Sequence, residues 1–267
     1  MQILDGKKLN EEIALDLTKK IKKLKAKPKL VILQVGDNPE SNTYINRKVA
    51  FGERIGTLVE HKKFTEKISE KKLLGEIINL NKEKGVHGII VQLPLPKHIN
   101  PANVLAAIEE EKRVDGGRHF LPATTLGVLT LIDKYKIKVA GKKVVVVGRS
   151  ELVGKPTALA MLDIGATVTV CHSQTKNLKE ETKKAEILIV AVGKPKLITK
   201  DHVSEGQIII DVGINLNKSK KLVGDVDFKD VSKIAKAISP VPGGVGPMTV
   251  ASLFQNLFKA YKIQIGL

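Results

Sequence analysis

The stretch KKVVVVGRSELVGKP (142–156) decides the fold class. Four valines, Val144 to Val147, run straight into Gly148, the pattern of a strand buried on both faces that stops at a tight turn. Gly154 and Pro156 follow where a helix would open. The order is that of a dinucleotide fingerprint, G-x-G-x-x-G, but Ser150 stands where the middle glycine belongs. Gly148 permits the turn, Gly154 permits close packing or close backbone approach, and a helix amino terminus offers N–H groups to an anion. On these residues alone a nucleotide site and an ordinary strand–turn–helix are both open.

Outward from this stretch, apolar strand-like runs alternate with helical patterns. Strands are expected at 29–36, 57–64, 86–96, 143–148, 166–171, 186–192 and 207–212. Helices are expected from Pro39, capped by Asn38, to about Gly56, then around 70–83, from Asn100-Pro101 to about Glu111, over 125–135 and over 248–262. The segment VDGGRHFLPATT (114–125) interrupts the rhythm and reads as a connection between two units. Such alternation predicts an α/β fold of two domains, with parallel sheets flanking a cleft. Ligands of open parallel sheets bind beyond the carboxyl ends of the strands. The unusual segments lie there: QLPLP, VDGG, GRSELVGKP, CHSQT, IDVGIN and PVPGGVGP.

The 267 residues are enough for one large domain or two modest ones. At 42% hydrophobic the composition is that of a globular protein, and no apolar run approaches the ~18 residues of a membrane span. Charges in MQILDGKKLNEEIALDL occupy the place of a signal peptide's apolar centre, so a cytoplasmic location is expected. Cys171 is the lone cysteine, which fits a reducing compartment, and its place at the end of an apolar run reads as packing. The six histidines form no close cluster, so no metal is expected. A net charge of +17 raises nucleic acid as a partner. However, aromatics are only 3%, and the densest lysine segment, KKIKKLKAKPK (19–29), reads as the polar face of a helix with Ile13, Leu17, Ile21 and Leu24 beneath. Anionic small substrates suit such a surface equally, and no specific nucleic acid is expected.

Two constellations carry candidate chemistry. A dinucleotide site for NAD places an acid after its second strand to hold the ribose 2′-hydroxyl. Here ATVTVCHSQTKN (166–177) has none, and Arg149, Ser173, Thr175 and Lys176 suit a 2′-phosphate instead, which favours NADP while leaving NAD possible. In the first unit Tyr44 and Lys48, spaced i, i+4, share a helix face. Gln92 ends the third strand ahead of Pro94 and Pro96, and Asp115 sits in the connecting turn.

Together SNTYINRK (41–48), GIIVQLPLP (88–96), VDGG (114–117), GRSELVGKP (148–156), TVTVCHSQT (167–175), IDVGIN (210–215), GDVDF (224–228) and PVPGGVGPMT (240–249) occur in a fixed order. Over nearly its whole length the chain resembles the bifunctional methylenetetrahydrofolate dehydrogenase/methenyltetrahydrofolate cyclohydrolase family, in which a glycine-poor GRS turn is a variant Rossmann site. The resemblance implies a folate-binding catalytic domain over 1–118, completed by a terminal helix at 249–267, and a Rossmann-like NAD(P)-binding domain over 119–248. It implies NADP-dependent oxidation of 5,10-methylenetetrahydrofolate to the methenyl form, followed by hydrolysis to 10-formyltetrahydrofolate.

Carried over by motif, Lys48 is the proton-transfer residue of the cyclohydrolase, Tyr44 stacks on the folate, Gln92 positions Lys48 and Asp115 grips the pterin. Pro242 and Gly243 would line the folate site, and Gly148, Arg149, Ser150, Ser173 and Ile214 the cofactor site. A homodimer in cytoplasmic one-carbon metabolism, feeding purine synthesis, is also implied. One departure stands out. The family usually has a longer stretch after VDG that reaches Pro-Cys-Thr-Pro, whereas GRHFL (117–121) alone separates Asp115-Gly116 from PATT here, with Ala123 and Thr125 replacing the Cys and second Pro. Rival expectations are a monofunctional dehydrogenase of this family, an unrelated NADP-dependent oxidoreductase, and a basic nucleic-acid-binding protein.

Overall fold

Strand and helix alternate along the whole chain. The computed structural model describes residues 1–217 and 219–267. In chain order it contains β1 (Gln2–Ile3), α1 (Gly6–Ile21), β2 (Lys29–Val35), α2 (Pro39–Ile55), β3 (Leu58–Phe64), α3 (Glu70–Lys82), β4 (Gly88–Val91) and α4 (Pro101–Ala106). Then come α5 (Ala123–Lys134), β5 (Lys143–Val147), α6 (Gly154–Asp163), β6 (Thr167–Cys171), α7 (Leu178–Lys183), β7 (Ile187–Val190) and β8 (Ile208–Asp211). The chain closes with β9 (Asn215–Leu216), β10 (Leu222–Val223), α8 (Phe228–Val231), β11 (Ala237–Ile238) and α9 (Val245–Gln264).

Two units divide the chain: Glu12–Ala123 with Val250–Leu267, here the first unit, and Met1–Glu11 with Thr124–Thr249, here the second. This differs from the sequence boundary, which gave residues 1–11 to the folate side. The reason is β1, which pairs in parallel with β11 and so joins the edge of the second unit's sheet. Residues 119–123 also belong to the first unit, where the Asp115 carboxylate accepts the Ala123 N–H at 2.8 Å.

The first unit carries a parallel sheet in the order β3-β2-β4. The strand β2 has six of its seven residues buried, as a central strand covered on both faces should. On one side Leu73, Ile77 and Leu80 of α3, spaced i, i+4, i+7, pack into a core with Val31, Leu33 and Ile89. Each such side chain contributes ~1.5–3 kcal/mol by its burial. The expected helix to Glu111 stops instead at Ala106. Lys112 is buried and folds back, donating from Nζ to the carbonyls of Leu80, Asn81 and Glu83, so it closes the carboxyl end of α3. At the other end of the chain α1 stops at Ile21, so Leu24, Lys25 and Lys27 lie between α1 and β2, not on a helix face as expected, and Lys29 opens β2.

The second unit carries a six-stranded sheet, β1-β11-β8-β7-β5-β6, parallel throughout. A small antiparallel hairpin, β9 with β10, projects beside it. Register aligns Val147 with Cys171 and Val190, and Val190 with Asp211. The loops after these strands therefore leave from one edge. From β5 the chain moves to β6 on one side and then to β7 on the other, so the switch point lies between β5 and β7.

Candidate active site

In the first unit the switch point lies between β2 and β4, and α2, which follows β2, presents its amino-terminal half there. Asn38 caps α2, its side chain accepting the N–H groups of Glu40 and Ser41, with Pro39 in the first turn. The buried stripe of this helix is Ser41, Ile45, Lys48, Phe51, Gly52 and Ile55. A lysine thus occupies a position whose spacing demands an apolar residue. Only 8% of Lys48 is exposed, and burial lowers the pKa of its amine while the Asp115 charge pulls in the opposite direction.

Lys48 Nζ donates to Gln92 Oε1 at 3.0 Å. Gln92 is itself fixed, its N–H bonded to the Leu33 carbonyl at 2.8 Å and its amide donating to the Leu93 carbonyl at 2.8 Å. The Leu93–Pro94 peptide is cis. Tyr44 lies one turn before Lys48, half-buried, and burial raises its phenol pKa. The Arg47 guanidinium stands 5.9 Å from its ring centroid. Tyr44, Lys48, Gln92 and Asp115 therefore all belong to the first unit, and Lys48 connects to Gln92 by a bond and to Asp115 by charge.

In the second unit Gly148 adopts φ +126°, and a Cβ there would lie 2.2 Å from the Ala191 carbonyl oxygen. Only glycine allows that turn and that approach. At Gly154 a Cβ would lie 2.3 Å from the Gly148 carbonyl oxygen, so the two retained glycines serve the turn and the helix–strand contact. The expectation of open N–H groups at the start of α6 needs correction. Gly154 N–H donates to Ser150 Oγ at 3.2 Å and Lys155 N–H to the Ser150 carbonyl at 3.0 Å. Ser150 thus closes the first turn, and its hydroxyl, held as an acceptor, keeps its own proton to donate.

After β6, the His172 N–H donates to Thr175 Oγ1 at 2.8 Å and the Thr175 N–H to the His172 carbonyl at 2.9 Å, which folds His172 to Thr175 into a tight turn around Ser173. Arg149 donates to Gln174 Oε1 at 3.3 Å, so the GRS turn and the Ser173 turn face each other. Cys171 is buried beneath, and burial raises its thiol pKa, as suits a packing residue. Ile214 is exposed beyond β8. Pro242 and Gly243 lie in a closed loop of the same unit, with a cis Val241–Pro242 peptide and the Gly244 N–H on the Pro240 carbonyl at 2.7 Å. Among the described residues no group of three His, Cys, Asp or Glu could hold a metal ion.

Residues 4–115 match the family model for the tetrahydrofolate dehydrogenase/cyclohydrolase catalytic domain, and residues 122–265 match the model for its NAD(P)-binding domain. The chain belongs to the tetrahydrofolate dehydrogenase/cyclohydrolase family. As a member it is an enzyme with both activities, an oxidoreductase and hydrolase of folate one-carbon metabolism. The "Bifunctional protein FolD" of Nautilia profundicola is 47% identical over 277 aligned positions, covering 98% of each chain. The bifunctional FolD crystal structure from Campylobacter jejuni superposes with a TM-score of 0.97 at 44% identity, covering 98% of this chain and 99% of that one. That from Trypanosoma brucei, complexed with NADP cofactor and an inhibitor, gives 0.94 at 31% identity, covering 99% and 98%.

Two buried carboxylates of the dehydrogenase/cyclohydrolase motifs carry little in the sequence that sets them apart from turn residues. Asp211 ends the run IIID and Asp225 sits in GDVDF, and both are buried. The available signal was an acid at the end of a strand that reads as fully buried.

Proposed function

We propose that this chain oxidises 5,10-methylenetetrahydrofolate to 5,10-methenyltetrahydrofolate with NADP+ and hydrolyses the product to 10-formyltetrahydrofolate. The observation that carries the hydrolytic half is the buried amine of Lys48, held 3.0 Å from Gln92 Oε1. A neutral amine is what a base at that position must present, and burial favours it. Gln92 orients the amine without a negative charge, so it does not stabilise the ammonium form as a carboxylate would. In this reading Lys48 accepts or relays a proton from the water that attacks the methenyl carbon. Tyr44 offers a ring face to the folate, Asp115 a carboxylate to the polar edge of the pterin, and Pro242 and Gly243 line the folate site.

For the oxidative half, the donor set fits a dinucleotide phosphorylated at the ribose. Arg149 and Ser173 face one another and no acid follows β6. Gly148, Arg149, Ser150, Ser173 and Ile214 would hold the dinucleotide, which would supply the acceptor for a hydride from the one-carbon bridge of the folate. The NADP named for the Trypanosoma brucei relative supports that choice over NAD.

We also propose a cytoplasmic homodimer whose formyl-folate serves purine synthesis. The lone cysteine suits a reducing compartment. For the dimer, β6 is an edge strand with exposed Thr167, Thr169 and Val170, and neighbouring α6 exposes Leu159 and Leu162.

Lys48→Ala tests the assignment. Methenyl-folate hydrolysis is expected to fall by about a hundredfold to ten-thousandfold while part of the hydride transfer persists. Equal, near-total loss of both would reassign Lys48 to binding or structure.

A further inference from the structure

At the carboxyl edge of the second unit's sheet, Asp211 and Asp225 tie three loops together. Asp225 is 0% exposed, and its Oδ2 accepts the N–H groups of Val192 at 2.7 Å and Gly193 at 3.0 Å. Its Oδ1 accepts the N–H of Lys194 at 2.8 Å and Nδ2 of Asn215 at 2.8 Å. Three successive amides thus wrap one carboxylate. Asp211 completes the knot. Its Oδ1 accepts from Gly213 at 2.9 Å and from the Asp225 N–H at 3.1 Å, and its Oδ2 from Val226 at 2.9 Å. A Cβ on Gly213 would lie 2.2 Å from Asp225 Cγ, and one on Gly224 would lie 1.9 Å from Asp211 Oδ2. The two glycines admit the carboxylates where no other residue would.

The loops held in this way border the nucleotide site. Ala191, whose carbonyl oxygen crowds Gly148, immediately precedes the three amides on Asp225. Ile214 is flanked by Gly213, bonded to Asp211, and by Asn215, bonded to Asp225. An exposed isoleucine therefore stands on backbone clamped on both sides. Fixing it in advance removes the ordering cost that a free loop would add to binding a planar ring.

We propose that Asp225 is a positioning residue for the dinucleotide: it sets Val192–Lys194 and Asn215 so that Ile214 and the β7 loop receive the cofactor. It touches neither the cofactor nor the folate. The inference rests on the proposed dehydrogenase reading. Asp225 is the one of the two to alter, because its carboxylate holds the Val192–Lys194 amides directly.

The test is Asp225→Asn in the full chain, with initial rates of NADP+ reduction and of methenyl-folate hydrolysis, which needs no nucleotide. The asparagine keeps the shape but turns a donor toward N–H groups that need an acceptor. The KM for NADP+ should rise about tenfold or more, the KM for methylene-folate should stay within about twofold, and hydrolysis should be retained. An unchanged KM for NADP+ overturns the proposal, as does parallel loss of both activities, which marks a general structural role. If the Asn variant does not fold, Asn215→Ala decides on the same comparison, with a rise of about threefold expected and no rise contradicting. Wild-type enzyme that reduces no NADP+ would instead sink the dehydrogenase reading itself.

Discussion

Lys48 is a lysine where helix geometry calls for an apolar side chain, and its chemistry follows from that misplacement. The ammonium form loses solvation on burial, so the folded amine releases its proton more readily than a free lysine, against the pull of Asp115. A base must be deprotonated to act, so cyclohydrolase kcat/KM should climb with pH. It should level off below the ordinary lysine value of about 10.4 and then stay flat. A profile still climbing at that pH would show that burial does not tune the residue. The Tyr44/Lys48 spacing was visible in the sequence because i, i+4 fixes a shared face. Which face was not, since a Tyr/Lys pair looks the same on a solvated surface. Asp225 was harder still. An acid after a strand resembles any turn residue, and its amide partners lie more than 30 residues earlier in the chain.

At the scale of elements, long runs with a clear period were readable: β2, α2, β3, α3 and β5 fall within a residue or two of expectation. The two-residue strands β1 and β11 were not, because their pairing is set by distant neighbours and so short a segment carries no period. That pairing is what draws residues 1–11 into the second unit. The GRS turn is the element on which nucleotide binding depends. Gly148→Ala places a Cβ against the Ala191 carbonyl at a φ that disfavours any side chain. It should cost about 1–3 kcal/mol in denaturant unfolding and weaken NADP+ binding by about tenfold or more in a fluorescence titration. Wild-type affinity at wild-type stability would mean that the turn relaxes freely. On α6, Leu162→Glu puts a charge on the exposed apolar strip. Sedimentation equilibrium should then find monomers where the unaltered chain gives dimers, and a monomeric unaltered chain would refute the proposed assembly.

At the scale of the whole molecule, a charge of +17 on 267 residues is a property of the surface rather than of the fold. The alternation of strands and helices was enough to foresee two parallel-sheet units, and eight ordered motifs were enough to foresee the family. The shortened segment after Asp115 is closed by the Asp115–Ala123 bond and by the Gly117 N–H on the Phe120 carbonyl at 2.9 Å. The Asp115 side chain remains exposed beside it. The central claim is that one chain performs both reactions. It is tested most directly by absorbance of the purified protein with 5,10-methylenetetrahydrofolate and NADP+ or NAD+, followed by the decay of added methenyl-folate. Reduced cofactor with NADP+ in preference to NAD+, and methenyl decay well above the uncatalysed rate, is the predicted result. Reduced cofactor with methenyl-folate accumulating, or no reduction with either dinucleotide, would contradict it.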